Sequence, residues 1–194
     1  LDDLGIYYDP NGPSRLEAHI QASIALPDAA LVRAEMLINR ITGAGLSKYN
    51  LTATNLHNDL PKGRRILVPG QVEDDASIRL GTTDVTTNRA LLQACRAANP
   101  AAVILYKPHP DVEAGLRTGA VPDAAEIADV VLTKTSPIAA LDAVDAVWTM
   151  TSTIGFEALL RGKEVTCLGS PFYAGWGLTD DRATPIVRRT ALPT

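Results

Sequence analysis

Cysteine is scarce in this chain: Cys95 and Cys167 are the only two in 194 residues. One pair builds neither a disulfide framework nor a thiolate metal cluster, and apolar neighbours on both sides point to inert core thiols. Histidine is almost as rare. His19, His57 and His109 are too few for a His-based metal site. No apolar run approaches the roughly 18 residues of a membrane-spanning helix, so none is expected. The start, LDDLGIYYDPN, carries acid where an export signal carries Lys or Arg. It also lacks Met, which suggests a piece of a longer protein. Basic charge is missing too: 18 Lys and Arg against 22 Asp and Glu leave a net charge of -4, the wrong balance for a general nucleic-acid binder. What is present, 46% apolar and 21% charged residues, is the composition of a folded domain in a reducing, cytoplasmic setting. The length suffices for one α/β domain with a sizeable core or two small ones.

The first third reads as helical. Ser14 and Glu17 have capping-box spacing and open a segment that Pro27 closes. Asp28 then caps a helix in which Leu31, Ala34, Ile38 and Ile41 recur at steps of three and four, ended by Gly43 and Gly45. Residues 46–63 are polar and aperiodic, a connection. From Arg64 the character changes. Ile66–Val68, Val103–Tyr106, Val130–Leu132, Ala146–Met150 and Val165–Leu168 read as buried strands. Between them, Thr87–Ala98, Pro137–Leu141 and Thr153–Leu160 read as helices. Near-continuous apolar strands separated by helices predict a Rossmann-like parallel sheet covered on both faces. Ligands of such sheets bind at the carboxyl ends of the strands.

After the first strand stands Gly70–Gln71–Val72–Glu73–Asp74–Asp75–Ala76–Ser77. Three consecutive acids form either a nucleophile or base for a sugar centre, or a solvated loop entering a helix. After the second comes Lys107–Pro108–His109–Pro110. The prolines stiffen the backbone and aim the imidazole, Lys107 adds a cation, and a phosphate or carboxylate suits the pair. The bland alternative is a strand simply ended by proline. After Met150 the run Thr151–Ser152–Thr153 caps a helix, and Gly155 would let a ligand approach its first turn. With Thr153 as the cap, Glu157 stands one position beyond a capping box and is available to a ribose diol. The aromatics of Gly169–Thr179 (Phe172, Tyr173, Trp176) form a platform for a base or sugar, or anchor a long loop. Asp180, Asp181 and Arg182 read as surface charges, as do Arg188 and Arg189, although the last two would suit an anionic acceptor. GxGxxG and GxxxxGK[ST] are both missing, against a nicotinamide dehydrogenase and a P-loop NTPase.

The runs VPGQVEDDASIRLG, LYKPHPDVEAGLR and TMTSTIGFEALLRGKEVTCLGSPFYAGWGLTDD, with the opening GIYYDPNGPSRLE, resemble the bacterial capsule polysaccharide synthesis and export proteins of the KpsC/LipB type. That resemblance implies one half of a GT-B-like retaining β-Kdo glycosyltransferase, with CMP-Kdo as donor and no metal or other cofactor. It places a helical linking segment at 1–60 and the Rossmann-like donor-binding domain at 61–194. Carried over by motif, His109 and Pro110 resemble the His-Pro element that holds the CMP phosphate, and Lys107 stands beside them as a further nucleotide-binding candidate. Ser152, with Thr151 or Thr153, supplies hydroxyls from the facing helix start. Asp75, in the QxxxDxS pattern from Gln71 to Ser77, is the attacking carboxylate, with Asp74 as a neighbouring candidate. Glu157 takes the ribose. A protonated His109 and Lys107 would offset the charge of the leaving group.

A full transferase module needs about twice this length. The resemblance therefore implies a lipid-linked saccharide acceptor held by a further domain, capsule export machinery as a partner, and peripheral inner-membrane contact only through other parts of the parent. Two other readings stay open: a UDP-sugar enzyme of GT-B or epimerase type, and a non-catalytic export module.

Overall fold

The computed structural model describes residues 2–48 and 60–192. Ser14 opens helix α1 (Arg15–Ala22), its Oγ accepting the Glu17 N–H at 3.1 Å. The capping box stays half made, because the Glu17 carboxylate turns instead to Arg188 and Arg189, at 2.7 Å from each. A single 3-10 turn at Ser23–Ala25 leads into α2 (Asp28–Gly43). Pro27 takes the cap position expected for Asp28, and Asp28 becomes the first helical residue. The helix ends where Gly45, at φ 60°, lets the Leu46 N–H return to the Ile41 carbonyl at 3.0 Å. None of its residues is buried; Leu31, Val32, Met36 and Leu37 lie exposed.

The remainder winds around one sheet: β1 (Arg65–Pro69), α3 (Ala76–Gly81), α4 (Asn88–Ala98), β2 (Val103–Lys107), α5 (Pro110–Glu113), α6 (Ala124–Ile127) and β3 (Val130–Val131). Then come α7 (Pro137–Asp142), β4 (Ala146–Thr149), α8 (Thr153–Leu159), β5 (Glu164–Cys167) and β6 (Asp180–Asp181). Every strand pair is parallel and the order is β3-β2-β1-β4-β5-β6, the doubly wound arrangement the apolar runs predict. Side chains alternate along each strand, so one core divides into two. Ile66, Val68, Ile104, Tyr106 and Trp148 pack against Leu91, Leu92 and Cys95 of α4. Leu67, Leu105, Val147 and Val165 pack on the other face against Leu141 of α7 and Ala158 of α8. Each fully buried Leu or Ile here contributes on the order of 2 kcal/mol. Burial pushes the Cys95 thiol up to about 12 and raises Cys167 as well, which keeps both protonated and unreactive.

The chain leaves β1 toward β2 and β3, then crosses back to β4 on the other side. Loops from β1 and β4 therefore diverge, and the crevice between their carboxyl ends is where such a sheet accepts a ligand. The C-terminal tail corrects one expectation. Arg189 is buried rather than solvated: its guanidinium donates to Glu17, to the Pro171 carbonyl at 2.6 Å and to the Ala174 carbonyl at 3.1 Å. Arg188 also bonds Glu17 and the carbonyls of Pro10 and Gly12. The sequence pattern could not show this, because the acid that desolvated arginine needs lies at the other end of the chain. Asp180 and Asp181 are exposed, as read, yet they form the edge strand.

Candidate active site

Gln71 closes the crevice. Its Nε2 donates to Thr151 Oγ1 and its Oε1 accepts the Thr151 N–H, both at 2.9 Å, so one amide ties the loop after β1 to the loop after β4. Asn88, at the start of α4, holds the Gln71 backbone from the other side with bonds of 2.8 and 2.7 Å. Gln71 is buried and fully engaged, which makes it a brace for its neighbours. From Thr151 the hydroxyl donates to Ser77 Oγ at 3.4 Å, and Ser77 Oγ donates to Asp75 Oδ1 at 2.7 Å. Glutamine, threonine, serine and aspartate thus form one directional chain.

Asp75 also caps α3, Oδ1 accepting the Ser77 N–H at 2.9 Å. Hydrogen bonds from the Ser77 hydroxyl and amide hold its pKa below the ordinary carboxylate range, burial opposes them, and the charges of Lys48 and Arg117 lower it further. Among the described residues Oδ2 takes no hydrogen bond. Asp74, exposed like Asp75, is not among the residues that line the cavity and pairs with Arg117 at 3.0 Å.

The end of β2 delivers Lys107 and His109 to the same cavity. Lys107 is 3% exposed. Burial pulls its pKa down, the charge of Glu113 partly restores it, and its ammonium makes no hydrogen bond among the described residues. His109 caps α5, with Pro110 as the first helical residue. Its Nδ1 accepts the Asp111 N–H at 3.2 Å, which puts the proton of the neutral ring on Nε2. Burial lowers the His109 pKa, and Lys48 and Lys107 push the same way against Asp111 and Asp75. The unliganded site therefore favours the neutral ring over the expected cation. Gly70 makes this turn possible: a Cβ there would stand 2.8 Å from the Tyr106 hydroxyl and 3.2 Å from the His109 nitrogen.

At the end of β4, Ser152 rather than Thr153 caps α8, its Oγ accepting the Ile154 N–H at 3.2 Å. Thr153 is the first helical residue. Gly155 serves a different purpose from the one expected. A Cβ there would overlap the hydroxyl of Tyr173, which donates to the Ser152 carbonyl at 2.5 Å. It is Tyr173, not a ligand, that needs the missing side chain.

Gln71, Asp75, Lys107, His109, Pro110, Thr151, Ser152 and Thr153 line one cavity of about 300 Å³. Glu157 does not. It is buried beneath residues 46–48, Oε1 accepting the Lys48 N–H at 3.1 Å while Oε2 has no hydrogen-bond partner among the described residues. The aromatic run divides its labour: Phe172 reaches the cavity, whereas Tyr173 and Trp176 are buried anchors, Trp176 Nε1 donating to the Phe172 carbonyl at 2.8 Å.

The lining residues that were not singled out in the sequence include two tyrosines and two cations. Tyr7 and Tyr8 come from the N-terminal segment, Tyr7 packing edge-on to Phe172 with ring centres 5.9 Å apart. Lys48 follows α2 and Arg117 follows α5. The paired tyrosines at 7 and 8 were a visible signal; the two cations had none. Among the described residues, no group of three His, Cys, Asp or Glu side chains is placed to hold a metal, and no helix is long and apolar enough to cross a membrane.

A family model described as capsule polysaccharide biosynthesis protein matches residues 1–193. The capsule polysaccharide modification protein LipA of Neisseria meningitidis serogroup A is 46% identical over 191 residues, which are 97% of this chain and 27% of LipA. The lipopolysaccharide-processing protein LpsZ of Rhizobium meliloti is 44% identical over 198 residues, covering 100% of this chain and 45% of LpsZ. Two solved structures from Thermosulfurimonas dismutans superpose on the whole chain. The KpsC β-Kdo 2,4 transferase does so with a TM-score of 0.86 at 34% identity, over 61% of its own length. The KpsC β-Kdo 2,7 transferase gives 0.79 at 38%, over 59%. The chain thus spans under half the length of both curated relatives.

Proposed function

Because the chain belongs to the capsule polysaccharide biosynthesis protein family, we propose that it is the donor-binding part of a retaining β-Kdo glycosyltransferase that uses CMP-Kdo to build a capsule linker. The observation that carries this reading is Asp75: an ionised carboxylate, held by Ser77 on one oxygen only, in a cavity that Lys107, His109 and Ser152 also line.

In the proposed reaction Asp75 Oδ2 attacks the anomeric carbon as the bond from that carbon to the phosphate oxygen breaks, its electron pair leaving with CMP. A glycosyl ester remains on Asp75. An acceptor hydroxyl then displaces the carboxylate and gives its proton to solvent, and two inversions restore the original configuration. His109 Nε2–H, the Lys107 ammonium and the Ser152 hydroxyl supply fixed donors for the charge that develops on the phosphate, which is why this chemistry needs no metal. Gln71 and Thr151 keep the two walls in register. The aromatic edges of Tyr7 and Phe172 suit a cytosine or sugar face. The acceptor is a lipid-linked saccharide held by parts of the parent beyond this chain.

Calorimetric titration with CMP, UMP and AMP tests the reading. Selective CMP binding, weakened at least tenfold by His109→Ala and by Ser152→Ala, is the expected result. A preference for the uridine nucleotide would transfer the chain to UDP-sugar chemistry, and no binding by the intact parent would make it a scaffold.

A further inference from the structure

Arg117 stands at the mouth of the cavity with nothing but an exposed ion pair to occupy it. Its single hydrogen bond among the described residues runs to Asp74 Oδ1 at 3.0 Å. Both side chains are about half exposed, 43% for Arg117 and 57% for Asp74, so the pair is weak and readily exchanged. The backbone around Arg117 is by contrast well held. The Leu116 and Arg117 amides donate to the Asp111 carbonyl at 2.8 and 3.2 Å. The Thr118 carbonyl accepts the Glu73 N–H of the loop after β1 at 3.2 Å, and the Gly119 carbonyl accepts from Asn88 at the start of α4 at 2.8 Å. An arginine with a fixed root and a loosely occupied head thus shares one cavity with Asp75, and its charge is felt there.

The chemistry proposed above leaves a problem that this arginine solves. The anomeric carbon of a 2-keto sugar acid carries a carboxylate directly. A nucleophilic carboxylate approaching that carbon to the roughly 3–3.5 Å of an attack geometry comes as close to the substrate's own carboxylate. Two like charges at that distance in a partly buried cleft repel strongly unless a cation lies between them or beside them. A guanidinium binds a carboxylate through two parallel N–H bonds, and one half of that fork here rests on Asp74.

We infer that Arg117 is the specificity-determining residue for the donor sugar: it exchanges Asp74 for the carboxylate on the donor's anomeric carbon and so selects a 2-keto sugar acid over a neutral aldose. This rests on the donor reading proposed above. Asp74 is then the resting partner that keeps the guanidinium at the mouth until the donor arrives. The two anions of the donor go to two different cations, the phosphate to the deep Lys107 and the carboxylate to the superficial Arg117.

The test is displacement of a fluorescent CMP analogue from this chain by CMP and by CMP-Kdo, with thermal melting to confirm that each variant is folded. In the wild type CMP-Kdo binds more tightly than CMP. Arg117→Ala reduces the ratio of the two affinities at least tenfold, and Asp74→Asn, which removes the competing carboxylate, raises it two- to fivefold. An unchanged ratio in both variants, with the wild type still preferring CMP-Kdo, overturns the role of Arg117 and leaves the donor reading standing. A wild type that binds a uridine nucleotide in preference to either overturns both.

Discussion

Asp75 and Ser77 are two residues apart, and their chemistry depends on that spacing. The aspartate caps α3 with Oδ1, which the serine hydroxyl also holds, and this leaves Oδ2 for the attack proposed above. In the intact parent, Asp75→Asn is expected to abolish Kdo transfer by at least a thousandfold yet leave CMP affinity within about twofold, since the amide keeps the cap. Ser77→Ala removes one hydrogen bond to a charged group, about 1.5–3 kcal/mol, and is expected to lower transfer roughly ten- to a hundredfold. Product assays set beside CMP titrations check both; transfer by Asp75→Asn at the wild-type rate would sink the nucleophile. His109 carries its own prediction. Its folded pKa lies below the ordinary value of about 6.5, so it is neutral at pH 7. A bound phosphate favours the cation and raises that pKa, so binding through this residue takes up protons as pH falls from the liganded toward the unliganded value. NMR titration of the imidazole with and without CMP reads the shift directly, and an unmoved titration would remove His109 from the phosphate site.

The elements were more legible than the site. Val103–Tyr106 and Ala146–Trp148 are apolar without interruption, a pattern that a strand covered on both faces requires and a surface strand does not tolerate. Thr87 announced α4 through its cap, and its Oγ1 does accept the Ala90 N–H at 3.2 Å. The four-residue α5 and α6 and the two-residue β6 are shorter than the period that would reveal them. At the site, Asp75, Lys107, His109 and Ser152 were readable because strand ends are where a parallel sheet places its ligand. Lys48 and Arg117 were not, because their position depends on closures between distant segments. Gly155 shows the same limit: its reason is Tyr173, on another element. Gly155→Ala is expected to cost about 1–3 kcal/mol through overpacking and to displace α8. Denaturant melts measure the loss, and Tyr173→Phe in the same chain should recover part of it. If Gly155→Ala is as stable as wild type, the close approach has been misread.

On the scale of the whole molecule, three charges join the ends. Glu17, 8% exposed at its side chain, sits between Arg188 and Arg189 and ties the first helix to the C-terminal tail. Burial alone would raise the Glu17 pKa; the two guanidiniums outweigh it and hold it below the ordinary value. The stabilisation is therefore complete above the usual carboxylate range and disappears as pH falls through the lowered value. Glu17→Gln leaves Arg189 buried without its counter-ion and is expected to cost roughly 3 kcal/mol at neutral pH. The gap between variant and wild type should close as pH falls below the ordinary carboxylate range, as acid unfolding curves would show. A constant gap across that range would mean that packing, not charge, makes the joint.

The same joint sets an order of events. Glu17 and Arg189 are separated by 172 positions, so the contact cannot form until Arg189 has been made. A ribosome delivers residues at ~5–20 per second, and β1 through β5 can pair well before the tail emerges. Tyr7 and Tyr8, which belong to the segment that α1 anchors, then wait as exposed aromatics beside a sheet already assembled. The mouth of the cavity thus matures after the sheet, and a chain halted before Arg188 would hold a finished sheet with an unfinished mouth.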